Sequence, residues 1–404
     1  MSKELKPQIR FKGFEDDWQY SPFSEIATRT SHIAFDESIP CVEYEDINSK
    51  KGTLNKDITK KEIHKKGQYF IPGDLLFGKL RPYLGNNLLA YFSGIAVGDF
   101  WILKNGLAST KFLYSFLYTK DFQFVSNQST GSKMPRADWN LVSKWEFIYP
   151  SNNLEQTYIG DFFSDVDVLI SESEREIGRL EKIKQASLQK MFPRPGTSTP
   201  EIRFAGFTEP WTVGKLSEIL EIDDTRNSNN KYGREDVLSV SGDYGLVNQI
   251  EFQGRSFAGA SLIGYKITKP GQVIYTKSPL KAQPFGIVKS NQYGVGIISP
   301  LYAVYNPKED NVSDFVHYYF APVAKLNNYL RPLINKGAKN TILISDETAM
   351  DGDIVYPSGK EQKFIADYFL KLDKLLESKR QKLAKLRQIK QACLDKMFVN
   401  STEL

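Results

Sequence analysis

Two short loops carry the residues whose types and spacing could do chemistry. The first is Lys79-Leu80-Arg81-Pro82-Tyr83-Leu84-Gly85-Asn86-Asn87, and the second is Tyr275-Thr276-Lys277-Ser278-Pro279-Leu280-Lys281-Ala282-Gln283-Pro284. Each mixes cations, an aromatic ring and amides. Lys and Arg can hold phosphate or a guanine edge, and Asn and Gln can pair with adenine in the major groove. The chemistry so implied is nucleic-acid recognition, carried by Lys79, Arg81, Tyr83, Asn86 and Asn87 in one loop and by Tyr275, Lys277, Ser278, Lys281 and Gln283 in the other. An ordinary solvated hairpin is the competing reading, and the shared placement of Lys79 and Lys277 weighs against it. A Gly-X-Lys segment follows each loop. It adds Lys133 and Arg136 to the first set, and Lys336, Lys339 and Asn340 to the second.

Catalytic signatures are missing where they would be expected. Gly73-Asp74-Leu75-Leu76-Phe77-Gly78-Lys79-Leu80 has phosphate-loop spacing until its last position, where Leu80 replaces the Ser or Thr that binds magnesium. Its interior Leu-Leu-Phe reads as a strand. Gly294-Val295-Gly296 lacks the third glycine of a dinucleotide fingerprint, and His32, His64 and His317 have no metal-ligand spacing. Neither a nucleophile elbow nor the Asn/Asp-Pro-Pro-aromatic tetrad of amino-methyltransferases is present. No catalytic, cofactor-binding or metal-binding residue is therefore assigned.

A chain of 404 residues, 41% hydrophobic and 13% aromatic, is expected to fold into two or three domains with sizeable cores. A net charge of +5 permits a polyanionic partner without requiring one. The most apolar stretch, 88–103, is broken by Gly94, Gly98 and Asp99 and reads as two strands, not a membrane span. Two cysteines, Cys41 and Cys393, support neither a disulfide framework nor a zinc site. A cytoplasmic protein without a membrane partner is expected.

The elements that must position the loops occur twice. Glu155 to Phe192 and Glu361 to Phe398 are related copies, ending in Ile-Lys-Gln-Ala-Ser-Leu-Gln-Lys-Met-Phe and Ile-Lys-Gln-Ala-Cys-Leu-Asp-Lys-Met-Phe. Ile159, Phe163, Val166, Ile170, Ile177 and Leu180 form a heptad seam, repeated by Ile365, Phe369, Leu372, Leu376, Leu383 and Leu386. Each copy predicts a helix of about 35 residues, roughly 50 Å long, and the economical partner of one seam is the other. A lead-in motif is duplicated as well. Pro7-Gln8-Ile9-Arg10-Phe11-Lys12-Gly13-Phe14 runs on to Trp18, and Pro200-Glu201-Ile202-Arg203-Phe204-Ala205-Gly206-Phe207 to Trp211. Both Trp residues are expected in the core. Between lead-in and helix the two units diverge. Only a skeleton survives there, a Pro-Gly turn into an apolar strand at Pro72-Gly73 and Pro270-Gly271. The expected divisions are a globular 1–150, a helical 151–193, a linker 194–199, a globular 200–353 and a helical 354–404. Rods kept alike and globes allowed to diverge suit a scaffold presenting two different binding surfaces.

Taken together, these residues resemble the specificity subunit of type I restriction–modification enzymes. The resemblance rests on the lead-in motifs ending at Trp18 and Trp211, the Gly-Asp-Leu-Leu-Phe-Gly-Lys strand and loop, the Glu155-Gln156 and Glu361-Gln362 helix starts, and the Leu-X-Lys-Met-Phe helix ends. It implies an α+β chain in which two mixed α/β target-recognition domains are separated by two long helices packed as an antiparallel coiled coil, with pseudo-two-fold internal symmetry. It implies double-stranded DNA as ligand, each domain reading half of a split asymmetric site. It also implies two methyltransferase subunits as partners and, through them, two restriction–translocase subunits. S-adenosylmethionine, ATP and magnesium would belong to those partners, and this chain would not be catalytic. Two alternatives from other classes are a coiled-coil adaptor with no role at DNA and a DNA-modifying enzyme with an unrecognised site. The second loop departs from the first in one respect, with Pro279 where the first has Arg81.

Overall fold

A computed structural model describes residues 5–61, 65–128, 134–278, 282–336 and 342–399. The chain forms two compact units. Unit 1 comprises Met1–Glu176 with Lys379–Leu404, and unit 2 comprises Ile177–Ser378.

Each unit is built on a four-stranded antiparallel sheet of the same strand order. In unit 1 the order is Ala27–Thr30, Phe100–Asn105, Leu75–Gly78, Asn87–Leu89, with Ile102 opposite Leu76 and Leu76 opposite Leu88. In unit 2 it is Leu220–Ile222, Ala303–Pro307, Val273–Tyr275, Val288–Ser290, with Ile274 between Val304 and Lys289. Leu75–Gly78 and Val273–Tyr275 are buried at every position, which is why both read as uninterrupted apolar runs. Each is launched by a Pro-Gly turn. Gly73 and Gly271 take φ values of 91° and 85°, a region that glycine enters without the penalty a side chain would incur.

The sheets carry different covers. In unit 1 a second four-stranded sheet joins Ile33–Ala34, Gly67–Phe70, Gly94–Ala96 and Cys41–Val42. In unit 2 the corresponding layer is two ribbons, Lys266–Thr268 with Gly296–Ile298 and Leu238–Ser241 with Gly245–Asn248. The stretch 88–103 holds parts of three strands rather than two, because a bend before Gly94 and the left-handed Gly98 break it twice. In each unit a pair of short helices follows the last strand of the four-stranded sheet in sequence. In unit 1 the first ends at Phe116 with Leu117 as its C-cap, and Thr119 caps the next, giving Thr110–Phe116 and Lys120–Ser126. Pro322, which cannot continue a helix, separates Ser313–Phe320 from Val323–Leu330.

Two long helices, Asn153–Lys190 and Gly359–Lys396, run for 38 residues each. Asn152 caps the first, its Oδ1 accepting from the N–H groups of Leu154 and Glu155. Ile159, Phe163, Val166 and Ile177 are buried, as are Ile365, Phe369, Leu372, Leu376 and Leu383. Ser173 sits in the seam with its hydroxyl bonded to the Leu169 carbonyl, so the break in apolar pattern leaves no polar group wanting.

The helix ends complete the cores. In unit 1 Phe398 packs among Trp18, Phe112 and Phe163 with ring centroids 5.5–6.2 Å apart. In unit 2 Phe192 does the same among Trp211, Phe315 and Phe369 at 5.8–6.3 Å. Trp18 and Trp211 are both buried. The lead-in motif is tied to the same helix ends, Ile9 N–H donating to Lys396 O and Ile202 N–H to Lys190 O, both at 2.9 Å.

Candidate nucleic-acid interface

In unit 1 the buried strand Leu75–Gly78 delivers the chain to its surface at Lys79. Arg81 then takes a left-handed φ of 50°, a single 3-10 turn runs over Pro82–Leu84, and Gly85 at φ 65° lets the chain return as Asn87–Leu89. A non-glycine residue held at positive φ stores strain, and such strain gathers at functional sites. The Arg81 side chain is exposed and has no hydrogen-bond or ion-pair partner among the described residues. The loop is braced on both sides. Arg81 N–H donates to Pro135 O, Ala137 N–H to Lys79 O, and Lys50 N–H to Gly85 O, all at 2.8 Å.

These braces bring Arg136 beside Lys79. Both cations share Asp99, the Lys79 ammonium at 3.5 Å and the Arg136 guanidinium at 2.9 Å. Tyr83 presents an exposed ring while its N–H donates to Asn127 Oδ1. Asn86 is nearly buried and its Oδ1 accepts from Ser49 Oγ at 2.7 Å. Asn87 is fully buried and accepts from Gly78 N–H at 3.3 Å, so it holds the hairpin together from inside.

Unit 2 reaches a similar arrangement with other residues. Tyr275 is buried, its hydroxyl donating to Phe285 O at 2.7 Å, and burial pushes the phenol well above its usual range. Lys277 takes φ 51° and pairs with Asp346, which also accepts Lys266 at 2.7 Å. Burial works to raise the Asp346 pKa, but hydrogen bonds from Lys266 and Lys277 outweigh it and hold the carboxyl below its ordinary value. Lys266 further bridges to Asp224, and Asp224 to Arg226. Ser278 Oγ donates to Thr276 O at 3.1 Å, and Gln283 accepts Gly286 N–H through its backbone carbonyl. Lys133, Lys281, Lys339 and Asn340 lie outside the described residues, and of Lys336 only the backbone is described, in a short strand paired with Ile342–Leu343.

In both units the lysine that follows the buried strand is clamped by a carboxylate, Asp99 in one and Asp346 in the other. Linear spacing gives no sign of either clamp. It also leaves out the pairing of the lead-in arginines. Arg10 forms a two-point ion pair with Glu155 at 2.7 and 2.9 Å, and Arg203 forms the same pair with Glu361 at 2.7 and 2.8 Å. Beside each, a buried glutamine staples helix to globe. Gln156 bonds Ser109 N, Leu107 O and Pro150 O, and Gln362 bonds Val312 N, Asn311 Oδ1 and Pro357 O. The retention of Ile-Arg-Phe and Glu-Gln in both repeats was the signal that could have found them. Among the described residues, no three His, Cys, Asp or Glu are placed to hold a metal ion, and no helix is long and apolar enough to cross a membrane.

No protein-family model matches the chain. It is 25% identical over 154 residues to the type I restriction enzyme MjaVIII specificity subunit of Methanocaldococcus jannaschii. That match covers 34% of this chain and 36% of the relative, so it spans about a third of the relative's length. The HsdS subunit of Thermoanaerobacter tengcongensis aligns with TM-score 0.42 at 19% identity, over 94% of this chain and 96% of its own. The type I restriction–modification S subunit of M. genitalium aligns with TM-score 0.62 at 13% identity, over 98% of this chain and 99% of its own. The fold of this chain is that of a type I restriction–modification S subunit.

Proposed function

We propose that the chain is the DNA-specificity subunit of a type I restriction–modification complex and is not itself catalytic. The observation that carries this reading is the placing of two unlike cation-bearing loops on the same strand of two like sheets, in a fold shared along nearly the whole chain with an S subunit. Residues 1–150 and 200–353 act as two recognition domains, and the long helices pair as an antiparallel coiled coil with pseudo-two-fold symmetry. At 1.5 Å per residue each helix is roughly 57 Å long, ample to hold two half-sites about one duplex turn, roughly 34 Å, apart. Arg81, Lys79, Tyr83, Asn86, Lys133 and Arg136 read one half-site. Lys277, Ser278, Lys281, Gln283, Lys336, Lys339 and Asn340 read the other. The buried Asn87 and Tyr275 shape their loops from within.

Affinity comes from Lys and Arg at phosphate and weakens with salt, while specificity lies in the differing loops. The repeated helices and lead-in motifs dock two methyltransferase subunits, which bind S-adenosylmethionine and recruit two restriction–translocase subunits that use ATP and magnesium. The test is to express the chain with its methyltransferase and map methylated adenines genome-wide. The expected result is a two-part asymmetric motif with a fixed spacer, and replacing Lys79 and Arg81 by Ala should degrade one part only. Methylation without a motif, or equal loss at both parts, would overturn the reading.

A further inference from the structure

The two long helices agree in their apolar seam and disagree in their charge. The second copy follows the first by 206 positions. Asp167 and Lys184 recur as Asp373 and Lys390, but Glu174, Glu176 and Glu181 recur as Arg380, Lys382 and Arg387. From 172 to 182 the first helix carries Glu172, Glu174, Glu176 and Glu181 among its charges. From 378 to 388 the second carries five cations and no acid.

The contacts use this difference. Within unit 1, Asp167 pairs with Lys390 at 2.5 Å, Glu174 with Arg387 at 2.6 Å and Glu176 with Lys379 at 2.9 Å. Within unit 2, Lys184 pairs with Asp373 at 2.5 Å, and Ser187 shares a hydrogen bond with Tyr368 at 2.9 Å. The position equivalent to Ser187 is Cys393, and that equivalent to Tyr368 is Phe162. In unit 1 these two are partly buried against the core, so a polar contact in one unit is apolar in the other.

In the same register, two first-copy helices would set Glu174 against Glu181 and leave the Ser187 hydroxyl facing Phe162. Two second-copy helices would set Arg380 against Arg387. Like charges facing each other across a helix seam select against a partner without adding contacts to the right one. We propose that Glu174, Glu181, Arg380 and Arg387, with Ser187 and Tyr368, make this interface heterotypic. A first-repeat helix accepts a second-repeat helix and refuses its own kind. When pairing within one chain is blocked, the occupant it selects is the second-repeat helix of another copy of this chain. The inference rests on the helix contacts and stands whether or not the loops read DNA.

Full-length chains test it. Lys51, which also binds Glu174 at 2.5 Å, is replaced by Ala throughout, so that K51A is the reference. One chain adds Glu174→Arg and Glu181→Arg, and a second adds Arg380→Glu and Arg387→Glu. Each then opposes like charges internally and should melt several degrees below the reference. Co-expressed with different tags, the two should co-purify as a one-to-one pair of twice the reference mass, since each now complements the other. A chain carrying all four changes should regain the melting temperature and size of the reference. Two-charge chains that melt with the K51A reference and form no mixed pair would overturn the proposal. So would a four-charge chain no more stable than either. If a two-charge chain does not fold alone, the mixed pair and the four-charge chain still decide.

Discussion

Arg10 reaches across 145 positions of sequence to clasp Glu155, Nε on Oε1 at 2.7 Å and Nη2 on Oε2 at 2.9 Å. Trp18 Nε1–H adds a third donor to Oε1 at 3.3 Å. Glu155 is buried, and its hydrogen bonds raise the Arg10 pKa further above its ordinary value. A two-point pair of this kind fixes direction as well as distance, so it sets the angle at which the helix leaves the globe.

Removing one partner strands a charge in the interior. Glu155→Gln is expected to destabilise unit 1 by about 3 kcal/mol, and Arg10→Met added to it should recover much of that loss. Denaturant unfolding of the two variants measures both. A single mutant within about 0.5 kcal/mol of wild type would show the clasp to be ornamental.

Phe398 fills the centre of an aromatic cluster in unit 1. Phe398→Ala is expected to cost about 3–5 kcal/mol through lost transfer energy and the cavity left behind. Phe192→Ala should cost a similar amount in unit 2, where the surroundings match. Hydrogen exchange should show the first change loosening Thr110–Phe116 and the second loosening Ser313–Phe320, each leaving the other helix protected.

Asp99 holds both Lys79 and Arg136, and on the proposed reading it competes with phosphate for them. Asp99→Asn should therefore raise non-specific DNA affinity of the assembled complex several-fold and steepen its salt dependence by about one to two units of slope. Because the gain ignores sequence, the ratio of specific to non-specific binding should fall. Titrations at two or more salt concentrations with matched and scrambled duplexes give both numbers.

Burial lowers the Lys289 pKa to about 8, helped by Lys184 and opposed by Asp373 and Asp243. Its ammonium lies 3.2 Å from His317 Nε2, and burial with the nearby Lys289 and Lys184 holds that imidazole neutral. Between about pH 8 and the ordinary lysine value near 10.4 the unfolded chain binds a proton that the folded chain does not, so stability rises with pH. Lys289→Met removes this dependence. The variant should be the more stable at pH 7, and the wild type should close the gap by pH 10 in parallel unfolding curves.

Much of this fold could be read from repetition. The 38-residue helices, the buried Trp18 and Trp211, and the strands after Pro72-Gly73 and Pro270-Gly271 all recur at matching spacing, and their burial follows from it. The site was legible only as far as its loops. Asn87 and Tyr275 carry suitable chemistry but are buried, because each belongs to a strand of its four-stranded sheet and not to the exposed turn. Asp99 and Asp346 reach their lysines from distant loops, and no local pattern marks a residue whose role is to neutralise another. Nor does the Leu-X-Lys-Met-Phe signature say which core its phenylalanine enters.

Synthesis runs from residue 1 onward, yet Trp18, Phe112 and Phe163 wait for Phe398 before their cluster is closed. Unit 2, spanning 177–378, has every one of its parts some twenty residues sooner. The polypeptide that emerges first from the ribosome is thus the last to be sealed, by about one to four seconds at roughly 5–20 residues per second, and a pulse of protease in that interval should cut unit 1 in preference to unit 2.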